Sequence, residues 1–352
     1  MKIAFVWTGL TSYMADCWRQ LASEPDVELK IWIDVSGGAA KAVSFDAAQV
    51  MRNLDYVLVD STFQTSQTSQ TFQTFHPDIL FVVGWHSPFC RAVVQDERLK
   101  DVPKICCFDM PWRWKLRCLL APLVLGRFLR GYRAAFVPGA VCARYAKWLG
   151  FKRVYKGLFA IDTNRFFWED LKSQISNRRA QSSEVGGQGL GAGSRNYLLY
   201  IGRNSGEKRL GDLREAYRRY RTMGGTLELR MYGKGLDGGF VTPEEVPALM
   251  RGAAAFVLAS DFDPWPLVLL EAMSAGCPVI ASDRCTNRPE LGKNWRVFKV
   301  GDVEPLAKLM MDAERRRNDE RVVESVVKEY DCQAWVKRVR SICGLSDEKD
   351  WL

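Results

Sequence analysis

The chain has 352 residues, enough for two domains that bury cores of their own without a disulfide or metal staple. Apolar residues make up 47% and charged residues 26%, which excludes a mainly disordered, collagen-like or polytopic membrane protein. With 50 Lys and Arg against 41 Asp and Glu, the net charge is +9. That balance suits an anionic ligand or an anionic membrane surface and does not require nucleic acid.

In chain order, short apolar runs alternate with longer amphipathic stretches. Residues 3–7, 29–33, 56–59, 79–83, 104–108 and 134–137 predict strands. Most are apolar at consecutive positions, as parallel strands buried on both faces are. The first run passes at once into Thr8-Gly9 and lacks a signal peptide's apolar stretch, so a cytoplasmic location is expected. The segments between the strands can carry crossover helices, which predicts a doubly wound, Rossmann-like α/β domain over 1–166. The triplet-repeat tract Gln64-Thr65-Ser66-Gln67-Thr68-Ser69-Gln70-Thr71 reads as a solvated surface segment.

Residues 112–133 hold six cations, four aromatics near the two ends and no acids. This stretch is too charged to span a bilayer. It either packs on its own domain as an amphipathic helix or lies on an anionic membrane surface.

Residues 173–196, rich in Ser, Gln and Gly, read as part of a flexible linker or insertion over 167–196. A second α/β pattern follows over 197–330. Its strands are expected at 197–201, 227–232, 254–258, 278–281 and 297–300, and its helices at 207–222, 243–251, 267–275 and 304–316. An amphipathic closing helix is expected at 331–344, within a tail over 331–352. Two such domains in tandem would place a cleft between two sets of strand C-terminal ends, where open α/β sheets bind ligands. The ten cysteines include no C-x-x-C pair, so no zinc site is expected, and their use in apolar runs suits a reducing compartment.

The most informative segment runs from Ser260 through Asp263, Pro264, Trp265 and Pro266 to Leu267, Val268 and Glu271. A helix that starts after Pro266 leaves the amides of Leu267 and Val268 unpaired, which suits a phosphate. Carboxylates beside a phosphate are unfavourable unless they hold hydroxyls, so Asp263 and Glu271 point to sugar or ribose. The bland alternative is an N-terminal acid and a helix-surface glutamate.

Arg203 and Lys208 leave a strand end through a Gly/Ser turn and could clamp a diphosphate, or else be solvated surface cations. Gly9, after the first strand, would let backbone approach a phosphate. No G-x-G-x-x-G follows it, which disfavours a nicotinamide dehydrogenase. His86 and Asp109 each follow a strand end and are candidate catalytic groups, with Asp109 alternatively a turn cap.

These residues carry a resemblance. Gly202-Arg203 with Lys208, Asp263 with Glu271-Ala272-Met273, Gly276-Cys277-Pro278-Val279-Ile280 and Arg288-Pro289-Glu290 are similar to the retaining glycosyltransferases of family 4, which have the two-domain GT-B fold. Ile161-Asp162 with Phe166 looks like that family's hinge-side segment. The resemblance implies transfer of a sugar from a nucleotide-diphosphate sugar to a glycan or lipid-linked acceptor, with retention of anomeric configuration and no divalent metal. Arg203 and Lys208 would hold the pyrophosphate, Glu271 the ribose and Asp263 the transferred sugar. Gly9 would lie near the donor phosphate, and Phe240-Val241-Thr242 near the base. A cytoplasmic enzyme of polysaccharide biosynthesis is expected; the basic, aromatic stretch 112–133 is the only motive for placing it at the inner face of a membrane.

The chain departs from the family at Asp263, where glutamate is usual, at Pro266, where glycine is usual, and at Asp109, where histidine is often found. Those departures motivate a second reading, a catalytically degenerate GT-B protein that binds a nucleotide or glycan as regulator or scaffold. A third is another GT-B enzyme, such as a sugar phosphorylase or a nucleotide-sugar epimerase.

Overall fold

The computed structural model describes residues 1–36, 47–59, 72, 74–113, 115–166, 195–319, 323 and 325–345. The repeat tract at 64–71 and almost all of the expected linker at 167–196 lie outside the described residues. The chain divides into two units, Met1–Ile161 with Tyr330–Leu352, and Asp162–Glu329. The first break thus falls at Asp162 rather than after Phe166, and the C-terminal helix belongs with the first unit.

The first unit is built on a seven-stranded parallel sheet in the order β3-β2-β1-β4-β5-β6-β7. Its strands are β1 (Lys2–Thr8), β2 (Glu28–Asp34), β3 (Tyr56–Val59), β4 (Ile79–Val83), β5 (Lys104–Cys107), β6 (Ala134–Val137) and β7 (Val154–Lys156). The register sets Phe5 beside Ile31 and Phe81, and the rings of Phe5 and Phe81 stack with centroids 4.7 Å apart. Strand β7 escapes the sequence pattern because three residues, Val-Tyr-Lys, are too few to show a period.

Helices fill the crossovers: α1 (Ser12–Ala22), α2 (Ala47–Val50), α3 (Pro88–Gln95), α4 (Leu116–Leu129) and α5 (Ala140–Trp148). Helix α3 starts with Pro88 in its first turn, and the Ser87 hydroxyl accepts from the Cys90 amide at 3.3 Å, a cap that satisfies an orphan donor.

The closing helix, Cys332–Cys343, begins at an Asp331 cap that accepts from the Ala334 amide at 2.7 Å. It ends at Gly344, whose φ of +76° is the left-handed conformation glycine tolerates. Its indole Trp335 is fully buried near Phe5 and donates to the Leu158 carbonyl at 2.8 Å. Truncating so large a buried group to Ala costs about 3–5 kcal/mol, so the last helix is part of this core.

The second unit has a five-stranded parallel sheet in the order β12-β11-β10-β8-β9. Its strands are β8 (Tyr197–Ile201), β9 (Glu228–Tyr232), β10 (Ala255–Leu258), β11 (Val279–Ser282) and β12 (Arg296–Phe298). Its helices are α6 (Leu210–Thr222), α7 (Val246–Gly252), α8 (Leu267–Ser274), α9 (Arg288–Leu291) and α10 (Val303–Arg315), so the closing helix is α11. Residues 233–245 hold turns and no helix.

Helix α6 starts three residues later than its pattern suggests. Residues Gly206–Lys208 form a tighter 3-10 turn, and Arg209 takes a left-handed φ of +48°. A non-glycine residue held there stores strain that the surrounding loop must sustain.

Candidate functional site

Each parallel sheet has one place where the strand order reverses direction, between β1 and β4 in the first unit and between β8 and β10 in the second. Loops leaving the C-terminal ends of such neighbouring strands diverge and open a crevice. The sequence-predicted residues follow these strands: Gly9 after β1, His86 after β4, Asp109 after β5, Arg203 and Lys208 after β8, and Asp263 after β10.

In the second unit the two loops meet. Lys208 Nζ donates to Asp263 Oδ2 at 2.6 Å, with side chains 13% and 12% exposed. The Asp261 amide donates to the Glu207 carbonyl at 2.7 Å, which ties the two loops by their backbones as well. A third loop, after β9, closes on the first: the Asn204 side chain donates to the Gly235 carbonyl at 3.1 Å. Gly233, at φ +149°, lies so near Gly202 that any Cβ there would overlap the Gly202 carbonyl oxygen. Glycine is therefore obligatory at that crossing.

Loops after β10 and β11 fix the start of α8. The Thr286 amide donates to the Asp263 carbonyl at 3.0 Å, the Thr286 hydroxyl to the Pro264 carbonyl, and the Asn287 amide group to the Pro266 carbonyl at 3.3 Å. Pro266 is the cap residue itself, and it provides no side-chain cap. The amides of Leu267 and Val268 therefore have no partner within the helix and carry its positive dipole end. A nearly buried ammonium, a carboxylate and an open helix start thus lie on loops joined to one another.

Arg203 stands apart from this group. It is 75% exposed and pairs with Glu207 at 3.4 Å. Glu271 lies on α8 and is half-buried. Burial pushes its carboxyl up to about 7, against the opposing pull of Arg165. Arg165 comes from the short turn Thr163–Arg165, whose cap Asp162 accepts from the Asn164 amide at 3.2 Å. Arg165 sits inside the Ile161-to-Phe166 segment, where the sequence pattern gives it no role of its own.

In the first unit, Gly9 takes φ +76° and its amide donates to the Asp34 carbonyl at 3.2 Å. His86 is exposed; burial of part of its ring, with Arg91 and Arg117 near, holds its imidazole below 6.5, and Asp109 opposes that shift. Asp109 is exposed too, and it also bears on Tyr13, whose hydroxyl burial pushes up to about 12. His86, Asp109 and Tyr13 therefore form one electrostatic neighbourhood.

The buried Asp34 is a second residue that sequence reasoning missed. Its carboxylate accepts from the Ser36 amide at 2.9 Å and from the Ser87 hydroxyl, which ties the ends of β2 and β4 together. An acid closing the apolar run Ile31-Trp32-Ile33 was the available signal. Among the described residues there is no group of three or more His, Cys, Asp and Glu placed to hold a metal ion.

Residues 237–329 match the family model described as "Glycosyl transferases group 1". Over 115 residues the chain is 30% identical to EpsF of Bacillus subtilis (strain 168), a protein named as a glycosyltransferase; that stretch is 31% of this chain and only 30% of EpsF. Among solved structures, HepE of Anabaena, crystallised with UDP, superposes with a TM-score of 0.70 at 15% identity, covering 98% of this chain and 100% of HepE. The lipopolysaccharide outer core galactosyltransferase WaaB gives 0.66 at 14% identity, over 98% and 99% of the two chains. Sucrose-phosphate synthase of Thermosynechococcus elongatus gives 0.64 at 14% identity, over 98% and 100%. At these identities the likeness is one of fold: two parallel-sheet, Rossmann-like domains of the GT-B class.

Proposed function

We propose that the chain is a retaining hexosyltransferase of the family 4 type, which moves a sugar from a nucleotide-diphosphate sugar to a glycan or lipid-linked acceptor. The observation that carries this reading is the Lys208–Asp263 pair, buried at 2.6 Å between the loops after β8 and β10, on the same joined loops as the uncapped start of α8. The match of residues 237–329 to a glycosyltransferase family supports it, as does the UDP bound by the structural neighbour HepE.

In this reading Lys208, Arg203 and the amides of Leu267 and Val268 hold the pyrophosphate. Their positive charge meets the negative charge that grows on the leaving phosphate, so no divalent metal is required. Glu271 holds the ribose hydroxyls, and Phe240-Val241-Thr242 borders the base. Asp263, freed in part from Lys208 as phosphate takes up the ammonium, accepts from a hydroxyl of the transferred sugar. Gly9, His86 and Asp109 are the first unit's candidates in this reading, Gly9 for phosphate and the other two for the reacting groups.

The bond from the anomeric carbon to the phosphate oxygen breaks. The acceptor oxygen bonds to that carbon on the same face, and its proton passes to the leaving phosphate. The products are the glycosylated acceptor and a nucleoside diphosphate.

A thermal-shift screen of nucleoside diphosphates and their sugars tests the reading. One diphosphate should stabilise the protein with and without a chelator, and its sugar should be slowly hydrolysed without acceptor. Stabilisation by none of them, or by one that Lys208→Ala binds equally well, would overturn it. Binding with no turnover on any acceptor would favour a scaffold.

A further inference from the structure

Helix α4 is apolar on two opposite sides. Cys118, Ala121 and Leu129 are buried against the first unit. Leu116, Leu119, Leu120, Leu123 and Val124 form a second stripe at the helical spacing i, i+3, i+4, i+7, i+8, and all five are exposed, Leu123 by 82% and Val124 by 76%. Elsewhere among the described residues, large apolar side chains are exposed singly. Singly exposed apolar groups need no explanation, whereas a contiguous ridge marks an interaction surface.

Cations surround this ridge. Lys115, Arg117, Arg127, Arg130 and Arg133 are all exposed, and among the described residues none of them makes an ion pair. No acid occurs between 112 and 133. The ring of Trp148, itself exposed, sits at the rim and donates to the Cys118 carbonyl at 3.3 Å. An indole with one apolar and one polar end favours the boundary between hydrocarbon and headgroups.

We infer that α4 docks this unit on a bilayer containing anionic phospholipid, with the Leu116-to-Val124 stripe in the acyl boundary and the surrounding cations on lipid phosphates. Charge decides the occupant. A second copy docking face to face would set five cations against the same five, with no acid within 112–133 on either copy to offset them. Anionic headgroups complement both the charge and the apolar ridge. Crossing the bilayer is excluded for α4: its 14 residues span about 21 Å, short of the roughly 30 Å hydrocarbon core. No described helix is long and apolar enough to cross a membrane.

The docked end is also the end that carries chemistry. Arg117, in the first turn of α4, is close enough to His86 to depress its imidazole, and Arg91 lies over the ring of Phe128 while donating to the Trp85 carbonyl at 2.8 Å. A bilayer under α4 would thus lie beside the β4 and β5 loops, where a lipid-linked acceptor would arrive. The docking claim itself stands apart from the donor chemistry, since neither nucleotide nor sugar enters its test.

The test is sedimentation of the full chain with vesicles of phosphatidylcholine alone and of phosphatidylcholine with phosphatidylglycerol. Pelleting is expected with the anionic vesicles only, and release is expected as salt rises well above physiological strength. Leu123→Glu with Val124→Glu should weaken partition about tenfold or more while leaving thermal unfolding unchanged. Arg127→Glu with Arg130→Glu should weaken it by a similar factor and blunt its salt dependence. Failure of the unaltered chain to pellet with either vesicle would overturn the inference. So would equal pelleting of the Leu123/Val124 variant, or self-association of the unaltered chain that this variant abolishes without any vesicle binding.

Discussion

Lys208 and Asp263, 55 residues apart in sequence, form an ion pair of 2.6 Å in which both side chains are nearly buried. They come from strands β8 and β10, adjacent in the sheet but opposite in the direction their crossovers take. The strand order therefore delivers a cation and an acid to one point without either strand encoding the other.

Lys208 and Arg203 should respond differently to truncation. Lys208→Ala leaves the Asp263 carboxylate buried without its cation and should destabilise the fold by about 1–3 kcal/mol. Arg203→Ala, at an exposed side chain, should stay within about 0.5 kcal/mol of the unaltered protein. Both should weaken nucleoside diphosphate binding by about 1–3 kcal/mol. Denaturant unfolding and titration calorimetry separate the two effects, and equal stability loss in both variants would contradict the burial difference.

Glu271 should leave a pH signature. Its folded carboxyl is pushed up to about 7 from an ordinary 4.5, so the folded state holds the proton over a range where the unfolded chain has lost it. The contribution to stability is fully present below pH 4.5 and is lost as pH rises through about 7, on the order of 3 kcal/mol in all. Glu271→Gln should flatten that part of the melting-temperature profile. In the proposed function the ionised carboxylate accepts from both ribose hydroxyls, so diphosphate affinity should rise through pH 7 in the unaltered protein and lose that component in Glu271→Gln.

Gly233 should tolerate no side chain. Gly233→Ala would drive a Cβ onto the Gly202 carbonyl oxygen in a backbone conformation that L residues rarely adopt, a loss of more than about 1 kcal/mol. Gly206→Ala, in open space on the loop after β8 that Gly233 crosses, is the control and should be near neutral. Thermal melts of both variants decide whether the loop crossing is as close as described.

His86 should titrate below 6.5, and with two histidines in the chain its NMR signal is assignable by comparison with His86→Ala. The imidazole is then neutral at pH 7, and activity that depends on it should fall only on further acidification. Because the ring is exposed, His86→Ala should keep its stability and lose activity by about 100-fold if it moves a proton. An unchanged rate would remove His86 from the reacting group.

Much of this architecture was legible in the residues. Strands 56–59, 79–83, 134–137 and 197–201 coincide with those observed; consecutive apolar positions announce strands buried on both faces in the last three, whereas 56–59 is an end strand with Leu58 exposed. The start of α8 was legible from Pro266, and the strand-end positions of Arg203, Lys208, Asp263, His86 and Asp109 followed. Strand β7 was too short to show, and the left-handed turn at Arg209 moved the start of α6 in a way no propensity reports.

The sequence by itself determined which segments are strands and helices, and hence that functional residues gather where parallel strands end, because burial on two faces leaves a mark in every residue of a strand. Only the tertiary structure decided which of those residues meet. Ion pairing of Lys208 with Asp263, the depth that raises Glu271, and the tie from Asp34 to Ser87 all depend on which loops fold against one another. The same holds for α4: it is apolar on both sides, so its period alone could not tell the stripe that packs on the core from the stripe left facing outward.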